Sequence, residues 1–235
     1  MKNIVILLAS GSGARIGADV PKQFLQINAK YLFEYSLKTF NDHVNIDEIV
    51  IVCHPSYVEV VKNIIKKNSY NKVRRVVVGG ETRQESVYNG LFSIASDDAN
   101  VFIHDAARPF VTNEMINRLI RALESNVAVS TVMPATDTMY VLNDVALVED
   151  IPDRKKLFRV QTPQAFYINT IKKAHYLAQK EKLKMATDDC SLVLHYGLAS
   201  ISTVEGDDVA FKVTTPVDLL FAKSVADNLS IFNSD

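Results

Sequence analysis

Three groups of residues in this 235-residue chain have types and spacing suited to chemistry on a charged small molecule. The first is Ala9-Ser10-Gly11-Ser12-Gly13-Ala14-Arg15, followed by Pro21-Lys22-Gln23. Side chains this small let successive backbone N–H groups approach an anion and form a concave nest for phosphate. A plain tight turn would use the same glycines. Arg15 and Lys22 flank this loop, however, and two cations beside an N–H nest suit a polyphosphate. The second group is His104-Asp105-Ala106-Ala107-Arg108-Pro109. There Asp105 could accept from a ribose hydroxyl or hold a magnesium-bound water, and Arg108 could meet a second phosphate. The same two side chains could instead form an ion pair that ties the loop down. The third group is the turn from Gly79 to Ser86. Arg154 and Lys212 stand alone, and spacing by itself gives such single cations no function.

Two familiar phosphate loops are excluded. A Walker loop needs Gly-Lys followed by Ser or Thr, which this chain lacks. A dinucleotide fingerprint needs a third glycine where Ile16 stands, and an acidic residue at the end of the second strand, where Cys53-His54 stands.

Positioning these loops requires strands ahead of them and helices behind. Asn3–Leu8, Glu48–Cys53, Arg75–Val78, Val101–His104 and Val127–Met133 read as buried strands. Helical spacing follows in Val60, Val61, Ile64 and Ile65, in Val87, Leu91 and Ile94, and in Met115, Leu119 and Leu123. Ser56 with Glu59, and Thr82 with Glu85, are spaced as capping boxes. Thr215, Pro216 and Asp218 open a last helix. The alternation predicts an α/β, Rossmann-like, mostly parallel sheet with helices on both faces. In such a sheet ligands bind beyond the carboxyl ends of the strands, where all three groups lie. Residues from about Pro134 to Phe166 break the pattern. Met139–Leu142, a polar turn at Asn143-Asp144, and Ala146-Leu147-Val148 read as a projecting β-hairpin. A hairpin alone is marginal in water, so a second copy of the chain is a plausible support for it.

Composition narrows the class without naming it. The chain is 48% hydrophobic with a formal net charge of −1, which argues against wrapping nucleic acid or a polybasic membrane contact. No apolar run reaches bilayer length, and Met1–Leu8 is short for a signal peptide. Cys53 and Cys190 suit a reduced, cytoplasmic protein. The expectation is one domain spanning residues 1–235, acting on something small.

Taken together, the glycine loop with Pro21-Lys22-Gln23-Phe24, His104–Pro109, Asp137-Thr138, Gln161-Thr162-Pro163-Gln164-Ala165-Phe166, Thr187-Asp188-Asp189 and Lys212-Val213-Thr214 resemble the 2-C-methyl-D-erythritol 4-phosphate cytidylyltransferase family. They resemble the related D-ribitol-5-phosphate cytidylyltransferases nearly as closely. The likeness runs from residue 3 to about residue 225. It implies a nucleotidyltransferase fold and transfer of CMP from CTP to a sugar-alcohol phosphate. Methylerythritol phosphate, in isoprenoid precursor synthesis, is the leading acceptor and ribitol phosphate the alternative. Ala106-Ala107 and Thr187-Asp188-Asp189 lean towards the first. A catalytically silent relative would have lost the loop cations.

The resemblance also assigns roles. Gly11 and Gly13 belong to the loop that wraps CTP, with Arg15 and Lys22 on its phosphates. Ala9, Ser10, Gly80, Arg83 and Ser86 surround base and ribose, with Asp105 at the ribose and substrate side. Arg108, Thr138, Arg154, Lys212 and Thr214 match positions that hold the second substrate. Thr138 and Arg154 lie on the hairpin, about residues 135–160, which in the family is an arm reaching into the neighbouring subunit of a homodimer. Ser10 stands where the family usually has Ala or Gly, and Ile16 where Met is common. The attacking phosphate is mostly dianionic at neutral pH and needs no base. Catalysis is then positioning and charge neutralisation by Arg15, Lys22, Lys212, Arg154 and a Mg²⁺ held mainly by the CTP phosphates, with no protein metal ligands. His104 reads as a strand-end packing residue rather than a base.

Overall fold

β1 (Lys2–Ala9) is apolar from Ile4 to Ala9 because both of its faces are covered. Val5, Leu7 and Ala9 enter one core layer with Phe33, Phe40, Val61 and Met115. Ile4, Ile6 and Leu8 enter the other with Val87, Leu91, Ile171 and Val193. The computed structural model describes residues 1–11, 20–183 and 187–229.

After a small hairpin of β2 (Gln26–Ile27) and β3 (Lys30–Tyr31), strands and helices alternate: α1 (Leu32–Asp42), β4 (Glu48–Cys53), α2 (Val58–Asn68), β5 (Val73–Val78), α3 (Arg83–Ser93), β6 (Ala99–Asp105), α4 (Asn113–Leu123) and β7 (Ala128–Pro134). Then come β8 (Val141–Leu142), β9 (Val148–Asp150), β10 (Phe158–Tyr167), α5 (Ile168–Glu181), α6 (Asp189–His195), β11 (Ser202–Glu205) and α7 (Pro216–Asp227).

While β2 pairs with β3 and β8 with β9, the other seven described strands form one sheet in the order β11-β7-β10-β6-β1-β4-β5. All run parallel except β10, which is antiparallel to both β6 and β7. The chain winds outward from β1 to β4 and β5, then crosses back to the far side of β1 as β6. That reversal opens a crevice beyond the carboxyl ends of β1 and β6.

The five strands expected from sequence all form: Glu48–Cys53 has the expected bounds, the fifth is shifted one residue later to Ala128–Pro134, and the other three extend by one or two residues where backbone pairing continues past the apolar run. The Thr82–Glu85 capping box forms, and so does the start of α7 at Thr215, Pro216 and Asp218. The Ser56–Glu59 box does not. Pro55 starts a 3₁₀ turn over Pro55–Tyr57, where the Ser56 N–H donates to His54 Nδ1, so α2 begins at Val58 without a side-chain cap. The hairpin forms as β8 and β9 around Asn143, whose side chain accepts from Val145 and Leu147 N–H. Its second strand starts at Val148, two residues later than expected, because Ala146 takes a positive φ in the turn. Met139, Tyr140, Leu142, Val145, Leu147 and Ile151 are all exposed on it.

Candidate active site

A cleft of about 650 Å³ lies at the carboxyl ends of β1, β4, β5 and β6. Ser10 and Gly11 enter it from β1, His54 and Pro55 from β4, Gly79 to Ser86 from the turn after β5, and Asp105 and Ala107 from β6. Lys22 and Lys212 arrive from elsewhere in the chain. The Lys22 Nζ donates to the Val213 carbonyl at 2.9 Å, so the two lysines, 190 positions apart, share one stretch of backbone. That stretch is tied to the second loop by Val213 N–H donating to the Ala107 carbonyl at 2.8 Å.

The cleft floor is a chain of charges. Asp105 Oδ2 lies 2.7 Å from Lys212 Nζ, and its Oδ1 accepts from Arg83 Nε at 3.1 Å. Arg83 Nη2 lies 2.8 Å from Asp189 Oδ2, and Asp189 Oδ1 meets His175 Nε2 at 3.0 Å. His175 Nδ1 has no partner among the described residues, so Nε2 carries the proton and donates to Asp189. Burial works against charge on Asp105, but Arg83 and Lys212 outweigh it and hold the carboxyl well below the usual range. Burial likewise opposes charge on Arg83, and Asp189 and Asp105 more than restore it.

Beneath Asp105 sits His104, fully buried. Its Nε2 lies 2.9 Å from the Arg108 carbonyl, which can only accept, so Nε2 bears the proton and Nδ1 accepts from the Thr162 hydroxyl at 3.1 Å. Thr162 Oγ1 in turn accepts the Asp105 N–H at 3.1 Å. Burial pushes the His104 imidazole down to about 4, so it is neutral at neutral pH and serves as a packing and hydrogen-bonding residue.

The loop after β1 is held by Gln23, which is buried and donates through Nε2 to the carbonyls of Ala9 at 2.9 Å and Gly11 at 2.6 Å. Its two donors satisfy those carbonyls and tie the first residues of the loop to the turn that carries Lys22. Across the cleft Ser86 Oγ accepts from Ser10 Oγ at 2.8 Å and from Gly80 N–H at 3.1 Å, and donates to the Thr82 carbonyl at 2.9 Å.

Of the residues expected from sequence, the cleft gathers Ser10, Gly11, Lys22, Gly80, Arg83, Ser86, Asp105 and Lys212. Ala9 lies directly behind it, buried in the sheet. Gly13 and Arg15 lie outside the described residues. Arg108 does not pair with Asp105. Its guanidinium donates to the carbonyls of Ala210 at 2.9 Å and Val160 at 3.1 Å, and it is not among the cleft-lining side chains. The Thr214 hydroxyl donates to Asp218 at the start of α7. Thr138 and Arg154 are exposed on the hairpin, where Arg154 donates to the Thr136 carbonyl, and they do not line this chain's own cleft.

Sequence reasoning gave no role to Gln23, Gln164, His175 or Asp189. Gln164 donates to Asp188 Oδ2 at 2.6 Å and accepts the Asp189 N–H at 3.2 Å, which fixes Asp189 under Arg83. The signal available was the polar Gln-Thr-Pro-Gln run embedded in apolar sequence.

The model of one protein family, IspD, 2-C-methyl-D-erythritol 4-phosphate cytidylyltransferase, matches residues 3–228. A protein of that name from Clostridium botulinum is 41% identical over 229 residues, which cover 97% of this chain and 99% of that protein. A ribitol-5-phosphate cytidylyltransferase from Vibrio parahaemolyticus is 35% identical, covering 98% of this chain and 99% of its own. The crystal structure of 4-diphosphocytidyl-2C-methyl-D-erythritol synthase from Anaerococcus prevotii superposes with a TM-score of 0.85 at 29% identity, covering 96% and 98% of the two chains.

Proposed function

The chain belongs to the 2-C-methyl-D-erythritol 4-phosphate cytidylyltransferase family and is therefore a nucleotidyltransferase enzyme, and on that premise we propose that it transfers CMP from CTP to 2-C-methyl-D-erythritol 4-phosphate. The observation that carries this reading is the convergence of Lys22 and Lys212, through Val213, beside the glycine loop and Asp105. Two cations lining one cleft answer the main obstacle to the reaction, which is repulsion between a dianionic phosphate and a triphosphate.

In this mechanism a phosphate oxygen of the acceptor attacks the α-phosphorus of CTP in line. The new P–O bond forms as the bond to the leaving pyrophosphate breaks. Lys22 and Arg15 hold the triphosphate, and Lys212 holds the incoming phosphate. Among the described residues no three His, Cys, Asp or Glu side chains gather into a cation cage, and both oxygens of Asp105 already face cations. A magnesium ion would be held chiefly by the triphosphate oxygens, and Asp105, its carboxylate fixed by Arg83 and Lys212, is the acidic group that would accept from a metal-bound water. When bound, magnesium supplies further neutralisation of the triphosphate.

The enzyme acts as a cytoplasmic homodimer in this reading, with the hairpin of each subunit placing Thr138 and Arg154 at the partner's cleft. The exposed apolar side chains of the hairpin support it, since they need a covering surface. No helix among the described residues is long and apolar enough to cross a membrane.

The deciding assay is pyrophosphate release from CTP and magnesium with methylerythritol phosphate and ribitol phosphate in parallel. Faster release with methylerythritol phosphate is expected. Preference for ribitol phosphate would move the assignment to the activity named for the Vibrio relative, and release with neither would reject both. For the arm, mixing inactive Arg154→Ala and Lys212→Ala proteins should restore part of the activity, because one cleft of each mixed dimer is intact. No recovery after verified subunit exchange would reject the shared site.

A further inference from the structure

We propose that Ser10 presents an acceptor-only oxygen to the cleft and thereby selects a cytosine amino edge over a uracil carbonyl. The polarity follows from groups that have no choice. The Thr82 carbonyl can only accept, so the Ser86 hydroxyl, 2.9 Å away, donates to it. The Gly80 N–H can only donate and occupies one Ser86 lone pair at 3.1 Å. Ser10 Oγ lies 2.8 Å from the same oxygen, whose proton is already committed, so the Ser10 hydroxyl must donate as well. Ser86 is then saturated. Ser10, half-buried on the cleft wall, has given up its proton and retains only lone pairs for a ligand.

The neighbourhood indicates which part of a nucleotide meets that oxygen. The lysines and arginine of the lining are Lys22, Arg83 and Lys212, with Asp105 paired to two of them, whereas Ser10, Gly79, Gly80 and Ser86 bear no ionisable group and the lining residue next to them in sequence, Glu81, is an acid. The triphosphate goes with the cations, and Glu81 repels it, which leaves the neutral base to the side of Ser10, Gly79, Gly80 and Ser86. Gly79 keeps the arrangement possible: a Cβ there would fall 2.3 Å from Ser10 Cβ and 3.0 Å from Ser86 Oγ. A chain with Ala at position 10 would leave one Ser86 lone pair open. Here Ser10 fills it and becomes the acceptor itself. An exocyclic amino group donates to that acceptor, while a carbonyl sets lone pair against lone pair, which is the kind of mismatch a hydrogen-bonding site rejects.

The inference rests on the nucleotide being CTP, and its test separates the two. Binding of CTP and of UTP, each with magnesium, is measured calorimetrically for the whole protein, for Ser10→Ala and for Ser86→Ala. kcat/KM is measured for both nucleotides with methylerythritol phosphate. The unaltered protein should favour CTP. Ser10→Ala should lower the CTP:UTP ratio about tenfold through loss of CTP affinity, the worth of one net hydrogen bond. Ser86→Ala releases the Ser10 proton, which can then turn to a carbonyl, so UTP affinity should rise. A purely structural role would weaken both nucleotides alike. A Ser10→Ala ratio within twofold of the unaltered protein, or no gain for UTP in Ser86→Ala, overturns the inference while leaving the transferase reading intact. CTP selectivity that Ser10→Ala abolishes, in a protein that turns over neither polyol phosphate, supports the inference and overturns that reading of the reaction.

Discussion

His104 couples the stability of the cleft floor to pH, and the size of the coupling can be worked out. An ordinary imidazole titrates near 6.5, whereas burial brings His104 in the folded chain down to about 4. As pH falls through that interval only the unfolded chain binds the proton, so the folded state loses ground. The loss starts near pH 6.5, runs at up to about 1.4 kcal/mol per pH unit, and levels off below pH 4 at a total of about 3 kcal/mol. His104→Gln removes the titration while keeping one donor and one acceptor for the Arg108 carbonyl and the Thr162 hydroxyl. Asp105 and Asp189, both held low, lose their contribution only in stronger acid and do so in both proteins, so the comparison isolates the imidazole. Urea unfolding of the two proteins at half-unit steps from pH 7.5 to 4 reads it directly. The unaltered protein should lose about 3 kcal/mol more than the variant over that range. Parallel stability curves between pH 6.5 and 4 would refute the reasoning.

Lys22→Ala should lower kcat about 10²–10³-fold, as expected for loss of one donor to charge that develops in the transition state; near-normal turnover would remove Lys22 from the mechanism. Asp189→Asn leaves Arg83 and His175 without their shared anion at a fully buried position, and should cost about 3–5 kcal/mol in chemical denaturation. A change under 1 kcal/mol would mean that the arginine is held by Asp105 alone. Gly90→Ala puts a Cβ 2.9 Å from both Ile6 Cγ2 and Val52 Cγ2, where α3 lies against the sheet. It should cost about 1–3 kcal/mol by overpacking, seen as a lowered thermal midpoint; an unchanged midpoint would show that α3 can move aside.

What the sequence made legible were features governed by local pattern. β1 and β4 are buried on both faces, so their apolar runs mark them unambiguously, and Thr82 and Thr215 cap helices through bonds only three residues long. β10 was not legible as a strand. Gln161, Thr162 and Gln164 interrupt its apolar pattern, and all three are buried because they satisfy groups from other elements: Asp207 for Gln161, Asp105 for Thr162, Asp188 for Gln164. Asp105 illustrates the same limit. Arg108 is its nearest cation in sequence, yet the partners it takes are Arg83, 22 residues before it, and Lys212, 107 after it. Pairings at that separation are set by how strands lie in the sheet, and no local spacing encodes them.

β10 is also a constraint on how this chain can change in length. Phe158 to Gln161 pair with Pro134 to Thr131 at the root of the hairpin, and after a register shift Gln164 to Phe166 pair with β7 while Gln164 to Tyr167 pair with β6. One residue added between Phe158 and Gln161 would turn the following side chains to the opposite face of the sheet. Thr162 would leave His104 and the Asp105 N–H, and Gln164 would leave Asp188. At the other end of the hairpin, residues 143–146 form the turn around Asn143 and do not line this chain's own cleft. A length change at that tip leaves the ladder below it in register with the cleft floor, so its effect falls on what the hairpin packs against rather than on Asp105 and Asp189.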